Sequence, residues 1–216
     1  MAIPHLWLFA GPNGAGKTTF TKMPQWSGHI RHFLNADELT RQMLKQHGFG
    51  DYASTPPDIL NRANTVAADK VFSEVCRLLE QGEAVAAETV LSTGKYRPVV
   101  NELRRNNGIF NLIYIGLRSP EISRERVVRR VALGGHPVSE EKLPKRWRRS
   151  LENLPWFARQ ADYFFIYDNS DSDPDHKPVL IGTKGRTADS LKLLEREINP
   201  AMTKTLLESN LFTVEF

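Results

Sequence analysis

Residues 11–18 read Gly11-Pro12-Asn13-Gly14-Ala15-Gly16-Lys17-Thr18, a complete G-x-x-x-x-G-K-[ST] spacing. Residues of these types at this spacing can hold a polyphosphate. Gly11, Gly14 and Gly16 let backbone N–H groups turn inward, Lys17 reaches the β- and γ-phosphates, and the Thr18 hydroxyl suits Mg²⁺. The apolar run Leu6-Trp7-Leu8-Phe9-Ala10 just before it suits a buried strand. The residues after it, from Thr19, can continue as a helix until Pro24, with the positive end of that helix at the phosphates. Strand, glycine-rich turn and helix together imply a nucleoside triphosphate site.

Ligands of open α/β sheets collect at the carboxyl ends of the strands, so the residues following each apolar run are the functional survey. After the run at 30–34 comes Asn35-Ala36-Asp37-Glu38. Asp37 there is a candidate general base for an acceptor hydroxyl; an N-cap for the helix starting at Glu38 is an equally ordinary use. The run at 84–87 ends in Glu88-Thr89, followed by Ser92 and Thr93. An unpaired carboxylate at the end of a buried strand is costly, so Glu88 must meet Mg²⁺ through water, a hydroxyl-rich ligand or a structural arginine. Ser92 and Thr93 can bind a sugar-like acceptor or be plain loop hydroxyls. Arg118, directly after the run at 109–117, is placed to stack on adenine or to cap a neighbouring helix.

A basic patch supplies the remaining chemistry. Residues 124–149 carry nine basic and three acidic side chains, a local +6, whereas the whole chain is only +4. The patch flanks Gly134-Gly135-His136-Pro137. Two arginine-bearing helices joined by a glycine-rich turn suggest a lid whose guanidinium groups neutralise a transferring phosphoryl group. Arg126 and Arg130 share one helical face, and Arg146 and Arg149 another; a solvated basic face accounts for the others. His136 is either a lid contact or a polar turn residue.

The elements positioning these groups read as short continuous apolar runs at 6–10, 84–87, 109–117 and 163–167, a weaker one at 30–34 and an edge candidate at 179–181. Helical patterns lie between them. One begins at Thr55 as N-cap with Pro56 at N1 and stops at Gly82; another begins at Ser119-Pro120 and ends at Gly134. A third covers about 139–154, and a helical extension broken near Pro200 is expected from Thr187. The expected fold is a three-layer α/β sandwich of the P-loop NTPase type, with a parallel sheet and helical lid, in one domain over residues 1–216. Its composition, 40% hydrophobic and 25% charged, is ordinary for a globular protein. The single Cys76 excludes an internal disulfide and falls on an apolar helical face with Phe72 and Leu79. No apolar run approaches membrane-spanning length, and the N-terminus enters a strand with no signal-like segment, so a cytoplasmic location is expected.

Beyond the phosphate loop, Asn35-Ala36-Asp37-Glu38, Glu88-Thr89 and above all Gly134-Gly135-His136-Pro137-Val138-Ser139-Glu140-Glu141 with Arg146-Trp147-Arg148-Arg149-Ser150-Leu151-Glu152-Asn153-Leu154 make a pattern spanning about residues 6–170. In it the chain resembles the zeta-toxin family of small P-loop kinases. The resemblance implies an ATP- and Mg²⁺-dependent kinase acting on the 3′-hydroxyl of UDP-N-acetylglucosamine. It further implies that Asp37 is the base, that Glu88 and Thr89 sit at the acceptor site, and that lid arginines contact the γ-phosphate. A separate antitoxin is an implied partner. Two rivals are a kinase of another small alcohol, such as a nucleoside, antibiotic or nucleotide cofactor, and a nucleotide-dependent nucleic-acid-binding protein. The second is disfavoured because no Walker-B-type aspartate precedes Glu88, and Trp147 and Trp156 are the sole aromatic platforms near the patch.

Overall fold

The first apolar run forms β1 (His5–Ala10), an inner strand of an eight-stranded sheet ordered β2-β3-β1-β4-β5-β6-β7-β8. The computed structural model describes residues 3–23, 26, 28, 30–173, 176–186 and 190–215. β2 (His32–Leu34), β3 (Ala84–Thr89), β4 (Ile109–Gly116) and β5 (Tyr163–Asp168) join β1 in a parallel block. Beyond it, β6 (Val179–Lys184) pairs antiparallel with β5 and with β7 (Ser190–Leu193), and β8 (Thr213–Glu215) runs parallel to β7.

Parallel neighbours require crossovers, and these carry the helices: α1 (Lys17–Thr21), α2 (Ala36–Gln46), α3 (Pro57–Glu80), α4 (Arg97–Arg105), α5 (Pro120–Ala132) and α6 (Leu143–Gln160), with α7 (Pro200–Glu208) after β7. Strand periodicity divides the core. Leu6, Leu8, Phe110 and Leu112 face one layer with Val75 of α3, Val100 of α4, Leu154 and Phe157 of α6 and Met202 of α7. Phe9, Ile113 and Ile115 face the other with Phe20 and Trp26. β4 is buried along its whole length, which explains its continuous apolar run. The result is the expected three-layer sandwich, with the carboxyl ends of β1 to β5 on one rim. Cys76 packs against the larger core layer, and burial raises its thiol pKa.

Several boundaries differ from expectation. Thr55 does not cap α3; its hydroxyl donates to the Asp51 carbonyl at 2.7 Å, and the helix starts after Pro56. The third helix starts at Leu143 behind a 3₁₀ turn, with Pro144 in its first turn where no N–H is needed. It runs on through Pro155 to Gln160 because Leu154, Phe157 and Ala158 are all fully buried. The C-terminal extension is not a helix broken at Pro200. Thr187 lies outside the described residues, Ser190–Leu193 is a strand with Leu191 and Leu193 buried, and Pro200 opens α7 behind the N-cap Asn199.

Gly11 sits where β1 leaves the sheet, at φ +141°, and a Cβ there would lie 2.0 Å from the carbonyl oxygen of Ile115 on β4. Gly11→Ala is expected to destabilise the fold by about 2–4 kcal/mol. Urea unfolding would detect it as a lowered midpoint, and an unchanged midpoint would mean that the turn relaxes freely.

Candidate active site

The phosphate loop is held from behind by its carbonyls. Ser123 Oγ donates to Asn13 O at 2.6 Å, Asn169 Nδ2 to Ala15 O at 2.9 Å, and Arg126 Nη1 to Gly14 O at 3.4 Å. These three carbonyls are thereby held by side chains, while the Gly11 N–H donates to Thr89 O at 3.2 Å and the Ala15 N–H to Pro12 O at 3.3 Å. Gly16 heads α1 at φ +82°, and a Cβ there would meet Asn169 Nδ2 at 2.7 Å. No side chain caps α1, so its first N–H groups remain free for a ligand. Lys17 is buried and donates through Nζ to the carbonyls of Gly11 at 2.8 Å and Pro12 at 2.9 Å. Burial lowers its pKa, against the opposing pull of Glu88 and Asp37.

Next to the lysine, Thr18 Oγ1 donates to Glu88 Oε2 at 3.0 Å. Burial raises the Glu88 pKa, with the Lys17 charge and the Thr18 hydroxyl opposing it. Its Oε1 is buried without a hydrogen-bond partner among the described residues. A hydroxyl, a carboxylate with an unused oxygen and a phosphate cradle side by side fit Mg²⁺. No cluster of three or more His, Cys, Asp or Glu able to hold a metal occurs among the described residues. Such sparse protein ligation suits an ion that keeps most of its waters and leans on substrate phosphates.

Asn35, not Asp37, caps α2: its Oδ1 accepts from the N–H groups of Asp37 at 2.8 Å and Glu38 at 3.2 Å. The Asp37 carboxylate is thereby released from the capping role and stands half exposed, with His136 Nε2 at 3.7 Å. His136 is buried edge-on against the Tyr52 ring, centroids 5.0 Å apart, while Tyr52 donates to the Asp37 carbonyl at 3.1 Å and Arg130 Nη2 to the His136 carbonyl at 2.6 Å. The glycine-rich turn is therefore docked on the helix that carries Asp37.

These groups share a cleft of about 470 Å³. Asn13, Gly14, Gly16, Lys17, Thr18, Thr19, Asp37, Glu88, Thr89, Ser92, Arg126, Arg130, His136 and Arg146 all line it. Gly11, Pro12 and Ala15 serve from behind through their carbonyls. Three further expected residues are also absent from its lining. Arg149 is exposed on α6, almost one turn further along the helix than Arg146 and beyond the cleft. Thr93 is exposed at the loop tip, and Arg118 is exposed beyond β4. A larger hollow of about 690 Å³ lies at the opposite, amino ends of β1, β3, β4 and β5, lined by Trp7, Trp26, Tyr163 and Phe165 among others, and shares no residue with this cleft.

Sequence reasoning missed Asn64, Lys95 and Tyr96, which line the cleft beyond Asp37, and also Tyr52 and Asn169. The Asn35 cap was missed as well, although Asn followed three residues later by Glu is a capping pattern that could have shown it. The α3 contributions were not legible, because only tertiary packing turns one helix face toward the rim. Trp147 and Trp156 are engaged internally: Trp147 Nε1 donates to Leu117 O at 2.9 Å, and Trp156 lies under the Arg97 guanidinium at 5.0 Å.

No protein-family profile matches the chain, and no curated protein matches it. Its fold is shared with solved structures. The AvrRxo1-ORF1:-ORF2 structure with ATP is similar at TM-score 0.67 and 13% identity, covering 94% of this chain; this chain spans only 64% of that one. A structure of the PezAT chromosomal toxin–antitoxin system of Streptococcus pneumoniae is similar at TM-score 0.50 and 19% identity, covering 83% of this chain and 70% of that one. A candidate kinase from Chloroflexus aurantiacus is similar at TM-score 0.53 and 19% identity, covering 68% and 78%. At such identities the likeness establishes the α/β fold and nothing further.

Burial, reinforced by Arg130, Arg146 and Arg41, holds the His136 pKa below its ordinary 6.5 despite the attraction of Asp37. The unfolded chain takes up this proton first, so the contribution of neutral His136 to stability is complete above about pH 6.5 and is lost as pH falls below it. Urea midpoints measured from about pH 7.5 to about pH 5.5 should fall less steeply for His136→Gln than for the unmodified protein. Parallel curves would place the titration elsewhere.

Proposed function

We propose that the protein is an ATP-dependent kinase that transfers the γ-phosphoryl group to a hydroxyl of a small molecule, a UDP-N-acetylsugar being the acceptor. The observation that carries the reading is the meeting of Lys17, the Thr18–Glu88 pair, Asp37 and three arginines from two lid helices in one cleft. The phosphate loop and Lys17 hold the phosphates, and Thr18 with Glu88 would hold Mg²⁺, which when bound would supply charge neutralisation on the phosphate oxygens. Asp37 accepts the proton of the acceptor hydroxyl as its oxygen bonds to the γ-phosphorus; the bond to the bridging oxygen breaks and ADP leaves. Arg126, Arg130 and Arg146 neutralise the negative charge spread over the phosphoryl oxygens. Arg118, at the rim beyond β4, is assigned to the adenine.

The acceptor assignment rests on the zeta-toxin resemblance, supported by the fold shared with a structure of a toxin–antitoxin system. The same likeness supports a separate antitoxin protein as partner. The chamber beyond Asp37 mixes Asn64, Ser92 and Lys95 with Val71 and Tyr96, a lining that suits a polar ring carrying hydroxyls. The second reading keeps the reaction and changes the alcohol.

An ATP-consumption assay against a panel of nucleotide sugars, nucleosides and aminoglycosides tests both readings; an inert UDP-N-acetylglucosamine overturns the first alone. Asp37→Asn is expected to lower kcat by about 10²–10⁴ with ATP affinity nearly intact, whereas Lys17→Ala loses both. If ATP affinity collapses in Asp37→Asn, the base lies elsewhere. Arg130→Ala and Arg146→Ala should each cost about 10³ in kcat, against little change for Arg149→Ala.

A further inference from the structure

The four residues 168–171 that leave β5 are each tied to a different part of the molecule. Asp168 is 3% exposed, and its Oδ1 accepts from Asn199 Nδ2 at 2.6 Å and from Ser170 Oγ at 2.6 Å, while Oδ2 accepts from the Ser170 N–H at 3.1 Å. Asn169 donates its N–H to the Gly116 carbonyl at 3.0 Å and its Nδ2 to Ala15 O, inside the phosphate loop, at 2.9 Å. Ser170 Oγ accepts the N–H of Arg118 at 2.8 Å. The Asp171 carbonyl accepts from Arg126 Nη2, and Nη1 of the same guanidinium reaches Gly14 O at 3.4 Å. The segment thus grips the phosphate loop from behind and aims one lid arginine. On its other side the tie is Asn199, fully buried at the head of α7, where its Oδ1 also accepts from the Met202 N–H at 3.2 Å.

We propose that Asn199 is a positioning residue for nucleotide binding, acting through Asp168 to hold the 168–171 segment against the phosphate loop and Arg126. The proposal rests on the nucleotide reading of the cleft. The physical basis is donor supply. A buried carboxylate keeps one orientation only while its oxygens are fully met by donors, and Asn199 Nδ2 is the donor that arrives from outside the segment. Without it the Asp168 carboxylate is free to turn, Ser170 loses its partner, and Asn169 no longer sits where Ala15 O needs it. The part of the chain after β7, expected from sequence as a plain helical extension, becomes part of the phosphate-binding apparatus.

The alternative is that Asn199 only caps α7, and one substitution separates the two. Asn199→Asp keeps an acceptor for the Met202 N–H and nearly the same shape, but removes the donor and sets two carboxyls in contact. Such a pair shares a proton and titrates as a unit with one step strongly raised. The other charged groups facing it are Arg126 from α5, Asp171 within the segment, and Arg118 and His176 beside Asp171. ATP binding by calorimetry should therefore be weaker for Asn199→Asp by at least about tenfold at alkaline pH, and recover on acidification. The unmodified protein should change far less over the same range, and the acceptor KM at saturating ATP should be unaltered. Hydrogen exchange of a peptide covering residues 11–18, referenced to the unmodified protein at each pH, should follow the same course. Asn169→Ala, which leaves α7 capped, should weaken ATP binding at every pH, and it decides the matter if Asn199→Asp fails to fold. Unmodified affinity and exchange in Asn199→Asp at all pH values, or unmodified affinity in Asn169→Ala, overturns the proposal. An unmodified protein that binds no ATP, with exchange still loosened by Asn199→Asp, instead overturns the nucleotide reading alone.

Discussion

The rest of the structure depends on keeping one ammonium group buried at the end of β1. Moving the Lys17 charge out of water is costly unless it is surrounded by acceptors, and the fold supplies two carbonyls from its own loop together with the fields of Glu88 and Asp37. That need draws the end of β3 and the start of α2 toward the phosphate loop.

The opposite charge problem shapes residues 124–149. Nine basic side chains in 26 residues (124–149) repel one another, and six of them resolve this by reaching into solvent. Arg126, Arg130 and Arg146 do not. Each is partly buried along the cleft, Arg126 and Arg130 against backbone carbonyls. Cations converging on one hollow lower the energy of an anion placed there more than scattered surface charge does. Burial and the neighbouring guanidinium groups push the His136 pKa below its ordinary value, against the pull of Asp37. His136 lies between Tyr52 and Asp37 as a spacer that joins the lid turn to α2.

Support for the cleft comes from behind as much as from within. Ser123, Asn169 and Arg126 hold three successive carbonyls of the phosphate loop, and they arrive from α5 and from the segment after β5. Loop glycines allow the backbone its unusual conformation but do not hold it there. A rigid outer layer of side chains is what converts a permissive sequence into a fixed array of donors.

How much of this was legible in the residues follows from the range of each interaction. The phosphate loop, Lys17, Thr18, Asp37, Glu88 and the parallel α/β order are local signals, written in spacing, apolar runs and the rule that loops after parallel strands share a rim. The sequence alone also determined that the basic residues cluster around a glycine turn. Which arginines face the cleft was decided by how α5 and α6 pack, α6 through Ser150 on Tyr114 and Trp147 on Leu117, and the path of the loop after β3 leaves Thr93 exposed. Asn199 meets Asp168 across 31 residues, and no local pattern records such a pairing. The C-terminal strands and α7 likewise took their form from the sheet edge: Leu191 and Leu193 found buried places beside β6, and a segment of weak intrinsic preference adopts whichever structure buries it.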